Sequence, residues 1–132
     1  MRSSQLAPLV LLIDRDAPRA AEVRRALSSA GFQVIVHGQV SAAWRAMQED
    51  ALLPSIVVFA PPCASVEHVA FRQILLRSPD TSGIPMLAMC EADETDVGRL
   101  EPIVLVRRRY GPNSVLSAVS RILGAGAASR AS

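Results

Sequence analysis

The sequence predicts an α/β fold: a doubly wound, five-stranded parallel sheet covered by helices on both faces. Three observations predict it. Short apolar runs alternate with amphipathic stretches along the chain, the pattern of successive β-α-β units with right-handed crossovers. The apolar runs are continuous and not alternating, as befits strands buried on both sides. Half of the 132 residues are hydrophobic but only 4% are aromatic, so one sizeable core is available, built mostly from Leu, Val, Ile and Ala.

The elements follow in order. Leu9 to Ile13 is the first strand, closed by Asp14. Asp16 is a good helix N-cap, with Pro18 in the first turn after it. Ala20, Val23, Leu27 and Ala30 then recur at helical spacing, and Gly31 is placed to end that helix. Phe32 to Val36 is the second strand. Ser41 is the expected cap of a second helix that runs through Ala43, Trp44 and Met47. Ser55 to Phe59, introduced by Pro54, is the third strand. Val66 to Arg77 is helical, with Val66, Val69, Ala70, Ile74 and Leu75 expected on its inner side and Phe71 taken as core. Pro79 and Gly83 break it before a fourth strand, Pro85 to Cys90. Ile103 to Val106 is the fifth strand, and Pro112 to Leu123 the last helix, with Val115, Leu116, Val119 and Ile122 inward. Gly98 and Pro102 in the connection from Cys90 to Ile103 predict a shortened or irregular fourth helix. Residues 1–8 read as an N-terminal extension, 9–123 as one domain, and 124–132, rich in Gly, Ala and Ser, as a frayed tail or linker stub.

Composition narrows the function classes. A net charge of +2 is too small to argue for nucleic acid. No apolar run approaches the ~18 residues of a membrane span. The opening MRSSQLAPLVLLID is too short in its apolar part for a leader, Asp14 ends it, and no small-residue cleavage site follows; a first strand and a cytoplasmic location are expected. Two cysteines, Cys63 and Cys90, are too few for a disulfide scaffold and are expected as reduced thiols.

In a parallel sheet of this kind, chemistry sits at the carboxyl ends of the strands. Those ends carry Asp14 to Asp16, Ala60 to Pro62, Cys90 to Ala92, and Arg107 to Arg109. The stretches LLIDRDAP, PSIVVFAPP, LRSPDTSGIPML and RRRYGPNSVLSAVSRIL, in this order, resemble the receiver domain of bacterial two-component response regulators. The resemblance covers about Leu9 to Leu123 and implies a flavodoxin-like three-layer sandwich of five β-α units, like that of the chemotaxis receivers.

It also implies a chemistry. An Asp at the end of the third strand takes a phosphoryl group. An acidic pair after the first strand holds Mg²⁺, and a hydroxyl after the fourth strand and a Lys after the fifth contact the phosphoryl oxygens. Carried over, the nucleophile position falls on Ala60, the acidic pair on Asp14 and Arg15 with Asp16 nearby, the hydroxyl on Cys90, and the Lys-Pro pair on Arg108 and Arg109. A methyl group cannot accept a phosphoryl group, and a guanidinium at Arg15 would repel the metal. The departures agree with one another and imply a degenerate pocket with no catalysis, no bound metal and no cofactor.

Several residues admit two readings. Asp14 and Asp16 either hold a cation, or Asp14 pairs with Arg15 or Arg108 while Asp16 caps the helix. Cys63, Cys90 and His37 either make a metal or redox site, or the thiols are small buried hydrophobes; the spacing matches no zinc pattern. His37 and His68 are too scattered for a catalytic set. Arg107, Arg108, Arg109 and Tyr110 form either an anion- or partner-binding loop, or a solvated loop with one Arg, Arg108, paired to Asp14. No Gly-rich phosphate loop accompanies them. Trp44 is either core or a partner anchor.

Two functions follow. The first is a phosphorylation-independent interaction domain in bacterial signalling. It meets a protein partner through its last strand and helix, with homodimerisation on that face as one form. The alternative is a small-ligand or anion sensor that uses the vacated pocket and Arg107–Arg109. Phosphorylation at another side chain is a third reading.

Overall fold

The computed structural model describes residues 7–61, 66–90, 104–107 and 110–124; for 104–107 and Gly124 the description is of the backbone. The strands are β1 (Leu9–Ile13), β2 (Gln33–His37), β3 (Ile56–Phe59), β4 (Met86–Cys90) and β5 (Val104–Arg107), in the spatial order β2-β1-β3-β4-β5. Every pairing is parallel. Each strand lies within a residue of its expected position; for β1, β3 and β4 this is because a continuous apolar run is stable only in the middle layer of a sandwich.

Helix α1 (Ala17–Ser29) is capped as expected: the Asp16 carboxylate accepts from the Arg19 N–H at 3.1 Å. Gly31, at φ +99°, makes the left-handed turn that releases the chain into β2. Helix α2 (Val40–Glu49) begins one residue before Ser41, with Gln39 at the cap position and no side-chain cap bond, so Ser41 is not the cap. Helix α3 is Val66–Arg77, and α4 is Pro112–Val119, continuing into a wider π-helical turn at Ser120–Gly124. The described residues hold four α-helices. The segment expected to form a shortened fourth helix of five, 91–103, lies outside them, as do 1–6 and 125–132.

Alternate residues of each strand feed separate cores. Leu11, Ile13, Val57, Phe59, Ala88 and Cys90 face α2 and α3. Val10, Leu12, Ile56, Val58, Ala60, Leu87 and Met89 face α1 and α4, with Val23, Leu27, Val115 and Val119 closing that layer. Burying each large aliphatic side chain contributes roughly 1.5–3 kcal/mol, so the two layers hold the sheet edge rigid beneath the site.

One helix is rotated from expectation. On α3 the buried residues are His68, Val69, Phe71 and Leu75, whereas Val66 is 71% exposed and Ala70 and Ile74 also face outward. The cause is composition: α3 is apolar on more than one side, so spacing alone could not choose its inner face. Phe71 decided it, packing edge-on against both Phe59 and Trp44.

Candidate functional site at the carboxyl edge of the sheet

The first strand delivers Asp14 to the sheet's carboxyl edge, where the chain turns into α1. Its backbone N–H donates to the His37 carbonyl at 3.0 Å, which extends the β1–β2 ladder by one bond. The Asp14 side chain is wholly buried. A buried carboxylate requires compensation, and here every acceptor site is used. Oδ1 accepts from Arg19 Nη2 at 2.6 Å and from the Asp16 N–H at 3.0 Å. Oδ2 accepts from Arg19 Nε at 3.0 Å and from the Tyr110 hydroxyl at 3.1 Å. The Arg19 fork is therefore bidentate, the strongest geometry a carboxylate can find.

Arg19 has two further contacts. Its Nη2 donates to the Pro61 carbonyl at 3.2 Å, which ties α1 to the loop after β3. Its guanidinium carbon lies 4.7 Å from the Tyr110 ring centroid, in cation–π range. The Asp14 hydrogen bond and charge raise the Arg19 pKa above its already high ordinary value. Burial, and then the Asp14 charge and hydrogen bond, push the Tyr110 phenol well above its usual range. Both groups therefore keep their protons at any physiological pH.

This arrangement revises several sequence expectations. Among the described residues the cation on Asp14 is Arg19 and not Arg15; Arg108, the other expected partner, lies outside them. Arg15 points outward, its side chain 73% exposed, and meets Glu67 at 3.9 Å. Such an exposed pair contributes little. Arg15 precedes α1, with its side chain free to leave the pocket, whereas Arg19 sits one turn into α1 and reaches back over Asp14. Tyr110 is not a surface binding residue but buried at 8% exposure, because its hydroxyl finds an internal acceptor and its ring joins the α1–α4 core. Asp16 is a helix cap, as one reading had it.

Cys90 is also revised. It is fully buried at the end of β4 and disulfide-bonded, not a reduced thiol. A half-cystine has no S–H to donate or ionise. Sequence spacing could not show which chain segments approach closely enough for a bridge. Cys63, Arg108 and Arg109 lie outside the described residues, and the Arg107 backbone pairs with Cys90 at the end of β5.

The sequence does carry one signal for Arg19. The first turn of α1 carries no acidic residue, and Arg19 stands there against the helix dipole. A cation so placed needs an anion of its own.

Ala60 ends the third strand on the same edge, buried at 2% exposure, its N–H donating to the Ile13 carbonyl at 3.0 Å. It offers no side-chain oxygen to a cation. With both Asp14 oxygens engaged and Arg19 seated on them, the residues present do not fit a Mg²⁺ ion. Among the described residues, no group of three His, Cys, Asp or Glu side chains could hold a metal. No described helix is long and apolar enough to cross a membrane.

Beside this filled site is an open one. A cavity of about 480 Å³ runs from Ile13, Asp14 and Ala60 outward between α2 and α3, where Val40, Trp44, Ala70, Phe71 and Ile74 form its walls. Arg15, Gln39, Ser41, Glu67 and His68 also line it. His68 is itself buried, its ring 4.8 Å from that of Phe59.

No protein-family model and no curated protein sequence matches the chain. Solved structures do. A response regulator from Chloroflexus aurantiacus superposes with a TM-score of 0.74 at 16% identity, covering 89% of this chain and 98% of that one. The chemotaxis response regulator CheY4 of Vibrio cholerae gives 0.74 at 14% identity, over 89% and 99% of the two chains. The receiver domain of a histidine kinase from Syntrophus aciditrophicus gives 0.74 at 20% identity, over 90% and 92%. At these identities it is the fold that is shared. The chain has the fold of response-regulator receiver domains, with Arg19 and Tyr110 closed over its Asp14.

Proposed function

We propose that this chain is a phosphorylation-independent signalling domain, a receiver fold that acts by presenting a constant surface to a protein partner and carries out no catalysis. The observation that carries the reading is the pairing of Ala60, at the end of β3, with a fully engaged Asp14. The first removes the phosphoryl acceptor. The second removes the metal site that phosphoryl transfer requires.

The Asp14–Tyr110 bond supports a fixed state. It joins residues 96 positions apart, tying the end of β1 to the entry of α4. In receiver domains the contacts that the phosphoryl group makes with residues after the fourth and fifth strands carry the switch. Here a permanent phenol–carboxylate bond takes over that task, so the α4 side is held without a signal. Gly111 and Pro112 then start α4, the Gly111 N–H donating to Ser114 Oγ at 3.1 Å. The partner surface in this reading is β5, α4 and the loops at their carboxyl edge, including Arg107–Arg109, with a second copy of the chain as one partner.

Incubation with acetyl phosphate and Mg²⁺, followed by intact-mass measurement, tests it. The expected result is no added phosphate. A stoichiometric phospho-adduct on any residue would overturn the reading.

A further inference from the structure

We propose that the cleft between α2 and α3 is a binding site for a small, neutral, planar aromatic molecule. The proposal stands apart from the partner-binding reading, which concerns the α4 side of the sheet.

Four observations carry it. The first is shape: at about 480 Å³ the cavity has the size of small-ligand pockets and is a recess, not a flat face. The second is position. It opens at the carboxyl ends of β1 and β3, where the strand order β2-β1-β3 reverses direction, which is where open α/β sheets receive ligands.

The third is chemistry. The walls are Val40, Trp44, Ala70, Phe71 and Ile74, and Ile13 and Ala60 border the inner end. Trp44 is only partly buried and meets Phe71 edge-on, with ring centroids 6.4 Å apart at 78°. Flat aromatic ligands pack against such rings in offset or edge-on geometry. The charges at the cavity do not call for an ionic ligand. Asp14 is neutralised by Arg19, and Arg15 faces Glu67 at 3.9 Å. Gln39 and Ser41 remain as polar groups to orient a neutral molecule.

The fourth is the unexpected rotation of α3. Its outward apolar residues include Ala70 and Ile74, and both line this cavity. Their apolar character is unexplained by the core and is accounted for by a ligand against them.

The test titrates the full chain with N-phenyl-1-naphthylamine, a neutral fused-ring probe, and with 8-anilinonaphthalene-1-sulfonate, its anionic counterpart. Trp44 is the only tryptophan and lines both this cleft and a smaller recess beside Leu53, so its quenching reports binding and the wall variants below assign it to the cleft. The expected result is saturable 1:1 binding of the neutral probe with loss of Trp44 emission, and binding of the anionic probe weaker by about tenfold or more. Ala70→Arg, at an exposed wall position, should weaken the neutral probe by at least about tenfold, while Leu53→Gln, another exposed apolar residue outside the cavity, should not change it. If Ala70→Arg lowers the Tm, Ile74→Gln gives the deciding titration. No saturable binding, no response of Trp44, or equal binding by the blocked variant would overturn the site. Equal or tighter binding of the sulfonate would overturn the ligand class.

Discussion

The two sides of the carboxyl edge have opposite solutions to the same local problem. On the α1–α4 side the protein's own groups fill the space: Arg19 and Tyr110 close on Asp14 and leave no acceptor site open. On the α2–α3 side the space is left empty, walled by Trp44, Ala70, Phe71 and Ile74. A buried carboxylate tolerates no vacancy, because an unpaired charge in the interior costs several kcal/mol. Apolar walls tolerate one at far lower cost. The difference therefore separates a self-satisfied ionic site from an open apolar recess.

Mutations can break that contrast. The largest effect should come from Arg19→Met, which keeps the stem but removes the guanidinium. It leaves the buried Asp14 without its cation, and chemical denaturation should show a loss of about 3 kcal/mol, at the lower end because Arg19 is partly exposed to water. A loss below about 0.5 kcal/mol would mean that the closed site is a surface pair in energetic terms.

Tyr110→Phe should cost less, about 1.5 kcal/mol for one hydrogen bond to a charged acceptor. Its pH dependence is more telling. The folded phenol pKa is raised, by burial first and then by Asp14. Above pH of about 10 an unfolded tyrosine loses its proton while the folded one keeps it, so the unfolded state binds fewer protons and stability falls as pH rises. Below that pH the contribution is fully present. Tyr110 is the only tyrosine, and all 14 basic residues are arginines, so little else titrates in this window. Denaturation midpoints measured from pH 8 upward should decline in the parent above about pH 10 and decline less in Tyr110→Phe. Parallel curves would show that the phenol is not sequestered.

The smallest effects belong to the open side. Ala70→Ser and Ile74→Gln should each change stability by no more than about 0.5 kcal/mol, since neither side chain is part of the core. A loss of about 2 kcal/mol in thermal or chemical denaturation would place them in the core and erase the contrast with the closed side.

What could be read in the chain alone follows a physical rule: features with local causes were legible. The strands come from continuous apolar runs, the start of α1 from the Asp16 cap, and its end from Gly31. The same locality placed Ala60 at the carboxyl edge, because a residue at the end of an apolar run marks a strand end. Features that depend on distant groups were not legible. The chain offers Arg15 and Arg108 as partners for Asp14, whereas in the fold Arg19 holds both its oxygens, because the choice depends on how α1 turns over the end of β1. Tyr110 reads in the chain as one more residue of a basic loop, and it becomes a buried hydrogen-bond donor only when α4 packs beside α1. Cys90 reads in the chain as a thiol, and in the fold it is disulfide-bonded. Helix α3 makes the same point for packing. Its sequence is apolar on more than one side, so spacing specifies the helix but not its inner face. Steric fit of Phe71 between Phe59 and Trp44 chose that face, and the choice left Ala70 and Ile74 lining the cavity between α2 and α3.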